Sequence, residues 1–180
     1  MKDKHVLVGV TGGIAAYKVA ELVRIFRKDG AEVRVVVTKN ACEFVAPLTF
    51  ETLSDNPVAM SMWERRTESP TEHIALARWA DVFVVAPATA NVVAKLALGL
   101  ADDLLSTTAL ACEAPLVLAP AMNTSMWKNP AVQANVETLR TRGAVLVGPA
   151  EGDLACGESG PGRMAEPAEI KDVVAGLLTA

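Results

Sequence analysis

Short runs of β-branched and apolar residues alternate along this chain with stretches in which apolar positions recur every three or four residues. Val6 to Val10 is the first run, and it ends in Thr11-Gly12-Gly13. Val19, Leu22, Val23 and Phe26 then fall at i, i+3, i+4 and i+7, one face of a helix that Gly30 stops. Val33 to Val37 reads as the next strand. These elements form one βαβ unit, which implies a parallel pair with a right-handed crossover. The alternation recurs with a strand at Asp81 to Ala86, a helix at Asn91 to Leu98, a further helix at Asp103 to Ala111 and a strand at Pro115 to Ala119. Asn129-Pro130 opens a helix carrying Val132, Val136 and Leu139 that ends at Gly143. Ala144 to Val147 is a fifth strand. A last helix starts near Pro167 and is expected to bury Ile170, Val173, Val174, Leu177 and Leu178.

Five short apolar strands alternating with helices predict a doubly wound α/β fold around a parallel sheet. In such sheets ligands bind beyond the carboxyl ends of the strands. The chain's irregular segments follow those ends: Thr11-Gly12-Gly13, Thr38, Pro87 to Asn91, and Pro120 to Asn123. The fifth strand is followed by Ala155 to Met164, with three glycines and a proline between positions 157 and 164. That composition predicts a flexible loop, neither helix nor strand, that closes over the rim as a lid.

Composition narrows the class. The chain has 180 residues, enough for a single domain spanning 1–180 with a substantial core. Apolar residues make up 51%, yet no run reaches the roughly 18 residues of a membrane helix. The N-terminus enters a strand directly, without a signal-peptide pattern, so the expected compartment is the cytoplasm. The apolar surplus points to subunit contacts. A net charge of −4 without a basic block argues against nucleic acid as a partner. Cys42, Cys112 and Cys156 are odd in number and widely spaced, which suits neither a disulfide framework nor, with two histidines, a zinc site.

The candidate chemistry lies at the rim. Thr11-Gly12-Gly13 opens a helix straight after a strand, where free N–H groups and the helix dipole favour a phosphate. The same residues also suit a plain tight turn. The spacing is not that of the dinucleotide fingerprint, and strand two ends in Thr38-Lys39 instead of an acidic residue. A mononucleotide such as FMN fits better than NAD. Ala88, Thr89, Ala90 and Asn91 offer hydroxyl, amide and backbone donors, or simply a helix cap. His73 lies near a helix start, where the neutral imidazole is favoured, the form that acts as a base; it could equally be a capping or surface histidine. Met122, Met126 and Trp127 suggest an apolar cradle or ordinary packing, with Asn123 placed to fix a carboxylate or amide. Cys156 stands in a polar setting suited to a proton donor or nucleophile. Glu158 and Arg163 are either a solvated ion pair or an anion grip.

Four blocks together resemble the flavin-dependent cysteine decarboxylase family. They are Gly9 to Lys18, His73 through Asp81, the Pro120-x-Met122-Asn123-x-x-Met126-Trp127 motif, and Ala155-Cys156-Gly157-Glu158 through Gly162-Arg163-Met164. The resemblance implies a flavodoxin-like or Rossmann-like flavoprotein fold, FMN as cofactor and, from the lid, 4′-phosphopantothenoylcysteine as substrate. A peptide ending in cysteine and a non-catalytic flavoprotein regulatory subunit are the alternatives. It further implies oxidation of the thiol-bearing carbon to a thioaldehyde, loss of CO₂, and return of electrons to an enethiolate. By position, His73 would be the base, Asn123 would hold the substrate carboxylate and Cys156 would protonate the product. Thr11, Gly12, Gly13, Thr38 and Ala88 to Asn91 would contact FMN. Asn123 and Met126, with Ala155, Gly157, Glu158, Gly162 and Arg163 of the lid, would contact substrate. The family implies a homo-oligomer, a trimer or trimers joined into a dodecamer, with FMN at subunit boundaries. Bifunctional members add a ligase domain, so this chain is expected to be either the first domain of such a protein or a single-function form.

Overall fold

The computed structural model describes residues 1–63, 71–155 and 157–179. Strands β1 (His5–Val10), β2 (Glu32–Val37), β3 (Val82–Ala88), β4 (Leu116–Pro120) and β5 (Val145–Leu146) form one parallel sheet in the order β2-β1-β3-β4-β5. β1 lies between β2 and β3: Val6 pairs with Val33 on one side and with Val82 on the other. The chain steps outward from β1 to β2, then crosses to β3 on the opposite side. The loops leaving β1 and β3 therefore diverge and open a crevice at this switch point.

Alternation along β1 divides the core in two. Val6, Val8 and Val10 face α1 (Ala16–Lys28), α2 (Pro47–Ser54) and α8 (Pro167–Thr179), whose Phe26, Phe50 and Ile170 are fully buried. Leu7 joins Phe83, Val85 and Leu118 on the other face. That face is covered by α3 (Glu72–Trp79), α4 (Ala90–Leu98), α5 (Leu104–Ala111) and α7 (Pro130–Thr141). Strands covered on both faces explain the continuous apolar runs.

The expected strands and helices are present within a few residues, with informative differences. α8 buries only Ile170 and Val174 completely; Val173, Leu177 and Leu178 pack on the core from its edge. α2, which the sequence pattern did not signal, begins with Pro47 at its first turn and ends at left-handed Asp55. The expected loop from Pro120 to Trp127 contains a short helix, α6 (Thr124–Lys128), capped by Asn123.

The largest correction concerns the lid. Instead of irregular loop, it contains β7 (Ser159–Arg163), which forms an antiparallel hairpin with β6 (Ala150–Asp153) just ahead of the expected lid, Gly152 lying opposite Gly160 and Asp153 opposite Ser159. Glycine normally weakens a strand. Here it permits close backbone approach: a Cβ at Gly162 would overlap the Met122 carbonyl oxygen, and one at Gly160 would crowd the Thr124 hydroxyl. The Met122 N–H donates to the Gly162 carbonyl at 2.9 Å. Tertiary docking thus overrides local preference.

A tight corner joins α4 to α5. Gly99 ends α4 in the left-handed conformation, and Asp103 caps α5 by accepting from the Ser106 N–H at 2.8 Å. Lys95 on α4 reaches back to Asp102 at 2.7 Å and Asp103 at 2.8 Å. Burial works to raise the Asp103 carboxyl, but Lys95 and Ser106 outweigh it and hold the group below its ordinary value. The unfolded chain retains the ordinary value. The charge-linked stabilisation is therefore complete above the usual aspartate range and is lost as pH falls through the lower folded value. Asp103→Ala should cost about 1 kcal/mol at neutral pH through loss of the cap. Asp103→Asn, which can still cap, should cost less, and its deficit relative to wild type should disappear on acidification. Urea midpoints measured across the acid range check both.

Candidate functional site

A cavity of about 860 Å³ opens where β1, β2, β3 and β4 end, within the range of small-molecule sites. Gly12 and Gly13 after β1, Thr38 to Asn40 after β2, and Thr89 to Val92 after β3 form one part of its wall. Ala121 to Asn123, Met126 and the hairpin residues Asp153 to Ala155 and Gly162 to Met164 form another.

The glycine end suits an anion. α1 is capped by no side chain and has no acidic residue in its first turn. The contrast with side-chain-capped α4, α5 and α7 follows from the sequence, because Ala15 stands where Thr89, Asp103 and Asn129 stand in those helices. Gly12 is required for close approach, since a Cβ there would overlap Asn40. Beneath this wall the fully buried Thr11 donates its hydroxyl to the Pro87 carbonyl at 2.5 Å. The same oxygen lies 3.4 Å from the Thr89 N–H, tying the loops after β1 and β3 together across the switch point.

Two charged clusters border the cavity. Lys95 and Asp103, both in the lining, form one. In the other, Glu166 Oε1 accepts from Lys18 Nζ at 2.9 Å and from an Arg163 guanidinium nitrogen at 2.7 Å. The Lys18 hydrogen bond, assisted by Arg163, holds the Glu166 carboxyl below its ordinary value. The cluster joins the end of the hairpin to α1, and Lys18 and Arg163 both reach the cavity wall.

Asn123 sits where hairpin and cavity meet. Its Oδ1 accepts from the Ser125 N–H at 2.7 Å and the Met126 N–H at 3.2 Å. Its Nδ2 donates to Glu158 Oε2 at 2.7 Å. The hairpin tip is closed by Gly157 N–H to the Leu154 carbonyl at 2.9 Å and Leu154 N–H to the Glu158 carbonyl at 2.8 Å.

Of the residues singled out from the sequence, Gly12, Gly13, Thr38, Thr89, Ala90 and Asn91 line the cavity with Asn123, Met126, Ala155, Gly162 and Arg163. Gly157 and Glu158 lie at the hairpin tip. Thr11 and Ala88 do not reach the cavity and are fully buried behind it. His73, half-buried in the first turn of α3, lies outside the lining. Cys156 lies outside the described residues. Sequence reasoning gave no role to Lys95, Asp103 or Glu166. The Gly99 turn between Lys95 and the Asp102-Asp103 pair was a legible sign of the first cluster, whereas nothing local marks Glu166 as the partner of Lys18.

Comparison with known proteins places this geometry in context. The family described as Flavoprotein matches residues 1–179. The coenzyme A biosynthesis bifunctional protein CoaBC of Haemophilus influenzae is 52% identical over 170 residues, 94% of this chain and 42% of that protein. The chain thus spans about two fifths of the length of such curated relatives. Among solved structures, a cysteine-to-serine variant of PPC decarboxylase complexed with pantothenoylaminoethenethiol superposes with a TM-score of 0.88 at 37% identity, over 99% of this chain and 100% of that one. The FMN-dependent cysteine decarboxylase SpaF gives 0.85 at 36% identity, over 98% and 95%.

The docking of the hairpin depends on Gly162, where φ is +144° and a side chain has no room. Gly162→Ala should release β7 from Met122 with little change in the melting temperature, because the hairpin lies outside the main sheet. Amide hydrogen exchange should rise selectively over 150–163; unchanged protection there would refute this account of the docking.

Proposed function

The chain belongs to the flavoprotein family, and on that premise we propose that it binds FMN and decarboxylates 4′-phosphopantothenoylcysteine to 4′-phosphopantetheine, a carboxy-lyase step of coenzyme A biosynthesis. The carrying observation is the convergence, on one cavity, of a glycine-led helix start without a side-chain cap and a hairpin docked over Asn123. The names of the CoaBC relative and of the PPC decarboxylase support the substrate, and that of SpaF supports the cofactor.

The site fits FMN chemically. The turn from Gly12 through Gly13 to Ala15, just ahead of α1, would hold its phosphate, although the Gly13 N–H itself donates to the Thr11 carbonyl; Thr38, Thr89, Ala90 and Asn91 would lie around the remainder. Thr11 and Ala88 would support these loops from behind. When bound, FMN supplies a reversible two-electron oxidant for the thiol-bearing carbon, so that CO₂ leaves from a thioaldehyde and not toward an unstabilised carbanion. Asn123 would orient the substrate carboxylate through its Nδ2 donor. Met126, Ala155, Gly162 and Arg163 would enclose the substrate, with Gly157 and Glu158 at the tip. His73 would take a proton in the oxidative half, and Cys156 would return one to the enethiolate in the reductive half.

His73 lies outside the cavity of its own chain, so this assignment requires a site completed by a second copy. Ile14, Tyr17 and Met126 are large apolar residues exposed at the cavity wall. Their exposure supports assembly as a trimer, or as trimers within a dodecamer. No helix among the described residues is long and apolar enough to cross a membrane.

Purified protein reconstituted with FMN should show the visible absorption of bound oxidised flavin and release CO₂ from phosphopantothenoylcysteine; flavin-loaded protein that releases none would refute the activity. A peptide ending in cysteine, offered in competition, should be the poorer substrate. Cys156→Ser should keep its flavin and still release CO₂ while failing to form phosphopantetheine at the normal rate. His73→Asn and Asn123→Ala should each abolish turnover, yet oligomers reassembled from the two variants together should recover part of it. Absence of recovery would remove the second copy from the site.

A further inference from the structure

Asn123 cannot choose which end of its amide meets the hairpin. Two backbone N–H groups, of Ser125 and Met126, point at one end, and only the carbonyl oxygen can accept from them. The NH₂ end is thereby aimed outward, and there it meets a carboxylate: Glu158 Oε2 lies 2.7 Å from Nδ2. The donor assigned above to the substrate carboxylate is thus engaged by a group of the same chemistry from the chain itself.

We propose that Glu158 is an internal stand-in for the substrate carboxylate, and that it makes the site discriminate between carboxylate-bearing substrate and decarboxylated product. The inference rests on the reading that Asn123 holds the substrate carboxylate. An incoming carboxylate and that of Glu158 repel at hydrogen-bond range, so the substrate takes the donor by displacing Glu158. Displacement is felt by the hairpin, because Glu158 leads directly into β7 and its carbonyl closes the tip against the Leu154 N–H. Once CO₂ has left, nothing on the product competes for Nδ2. Glu158 then returns, so the contact that weakens substrate binding also removes any advantage of holding product. The exchange moves no proton or electron.

The test uses FMN-loaded protein and two unreactive ligands: phosphopantothenoylserine, which keeps the carboxylate but lacks the thiol, and its decarboxylated ethanolamine counterpart. Glu158 belongs to an exposed hydrogen bond, so its replacement should leave folding intact. The bond is charge-assisted but exposed to solvent, so Glu158→Ala should tighten the serine ligand by roughly two- to fivefold. The ethanolamine ligand should bind as before. Glu158→Gln should shift affinity in the same direction, and Asn123→Ala should abolish the gain. Weakening of both ligands would make Glu158 an ordinary substrate contact and overturn the proposal, as would equal tightening of both or no change in either. If wild-type protein binds neither ligand, the substrate reading fails and the stand-in fails with it. If it binds both and only the selective gain is missing, the stand-in alone is wrong.

Discussion

Everything at this site depends on the position of β1 between β2 and β3. Parallel pairing with β2 on one side and β3 on the other forces the loops at their carboxyl ends apart. A cavity at the rim is then a consequence of topology and needs no special sequence to open it. What needs particular residues is keeping the divergent loops in register. Thr11 does this from below, spending a fully buried hydroxyl on the Pro87 carbonyl. A buried hydroxyl without a partner would be costly, so this bond fixes the spacing of the loops that form the cavity wall.

The second layer of the site is held by contacts between segments far apart in the chain. The hairpin does not extend the main sheet. It is fastened at one place by the approach of Gly162 to Met122 and at another by the shared carboxylate oxygen of Glu166 between Lys18 and Arg163. The first fastening is steric and the second electrostatic, so they respond to different conditions. The ionic one is partly exposed and screened by salt; the steric one is not.

Several polar groups at the cavity are partnered within the chain. Lys95 meets Asp102 and Asp103, Lys18 and Arg163 share Glu166, and Asn123 meets Glu158. A ligand therefore competes with existing contacts as well as with water. Such a site favours a ligand that offers the right charge at the right place, because only that ligand replaces what it displaces. The start of α1 differs: its first N–H groups donate to the backbone carbonyls of Gly13, Ile14 and Ala15 and not to a side chain.

Periodicity alone was sufficient to place the parallel sheet, most of the helices and the rim at which the irregular segments gather. Those features are local: a run such as Val33 to Val37, or the spacing of Val19, Leu22, Val23 and Phe26, carries its structure in adjacent residues. The same holds for the tight turn at Gly12 and Gly13 that leads from β1 into α1. The hairpin was misread because its glycines are poor strand formers, and what makes them necessary, the backbone at Met122 and Asn123 and the side chain of Thr124, lies roughly forty residues away in sequence. The partner of Lys18 at Glu166, the burial of Thr11 behind the wall and the exclusion of His73 from the lining were likewise decided by tertiary structure. Sequence pattern determines which face of an element is apolar and where it ends. Which polar groups meet across the rim depends on the order of strands in the sheet, which no local window contains.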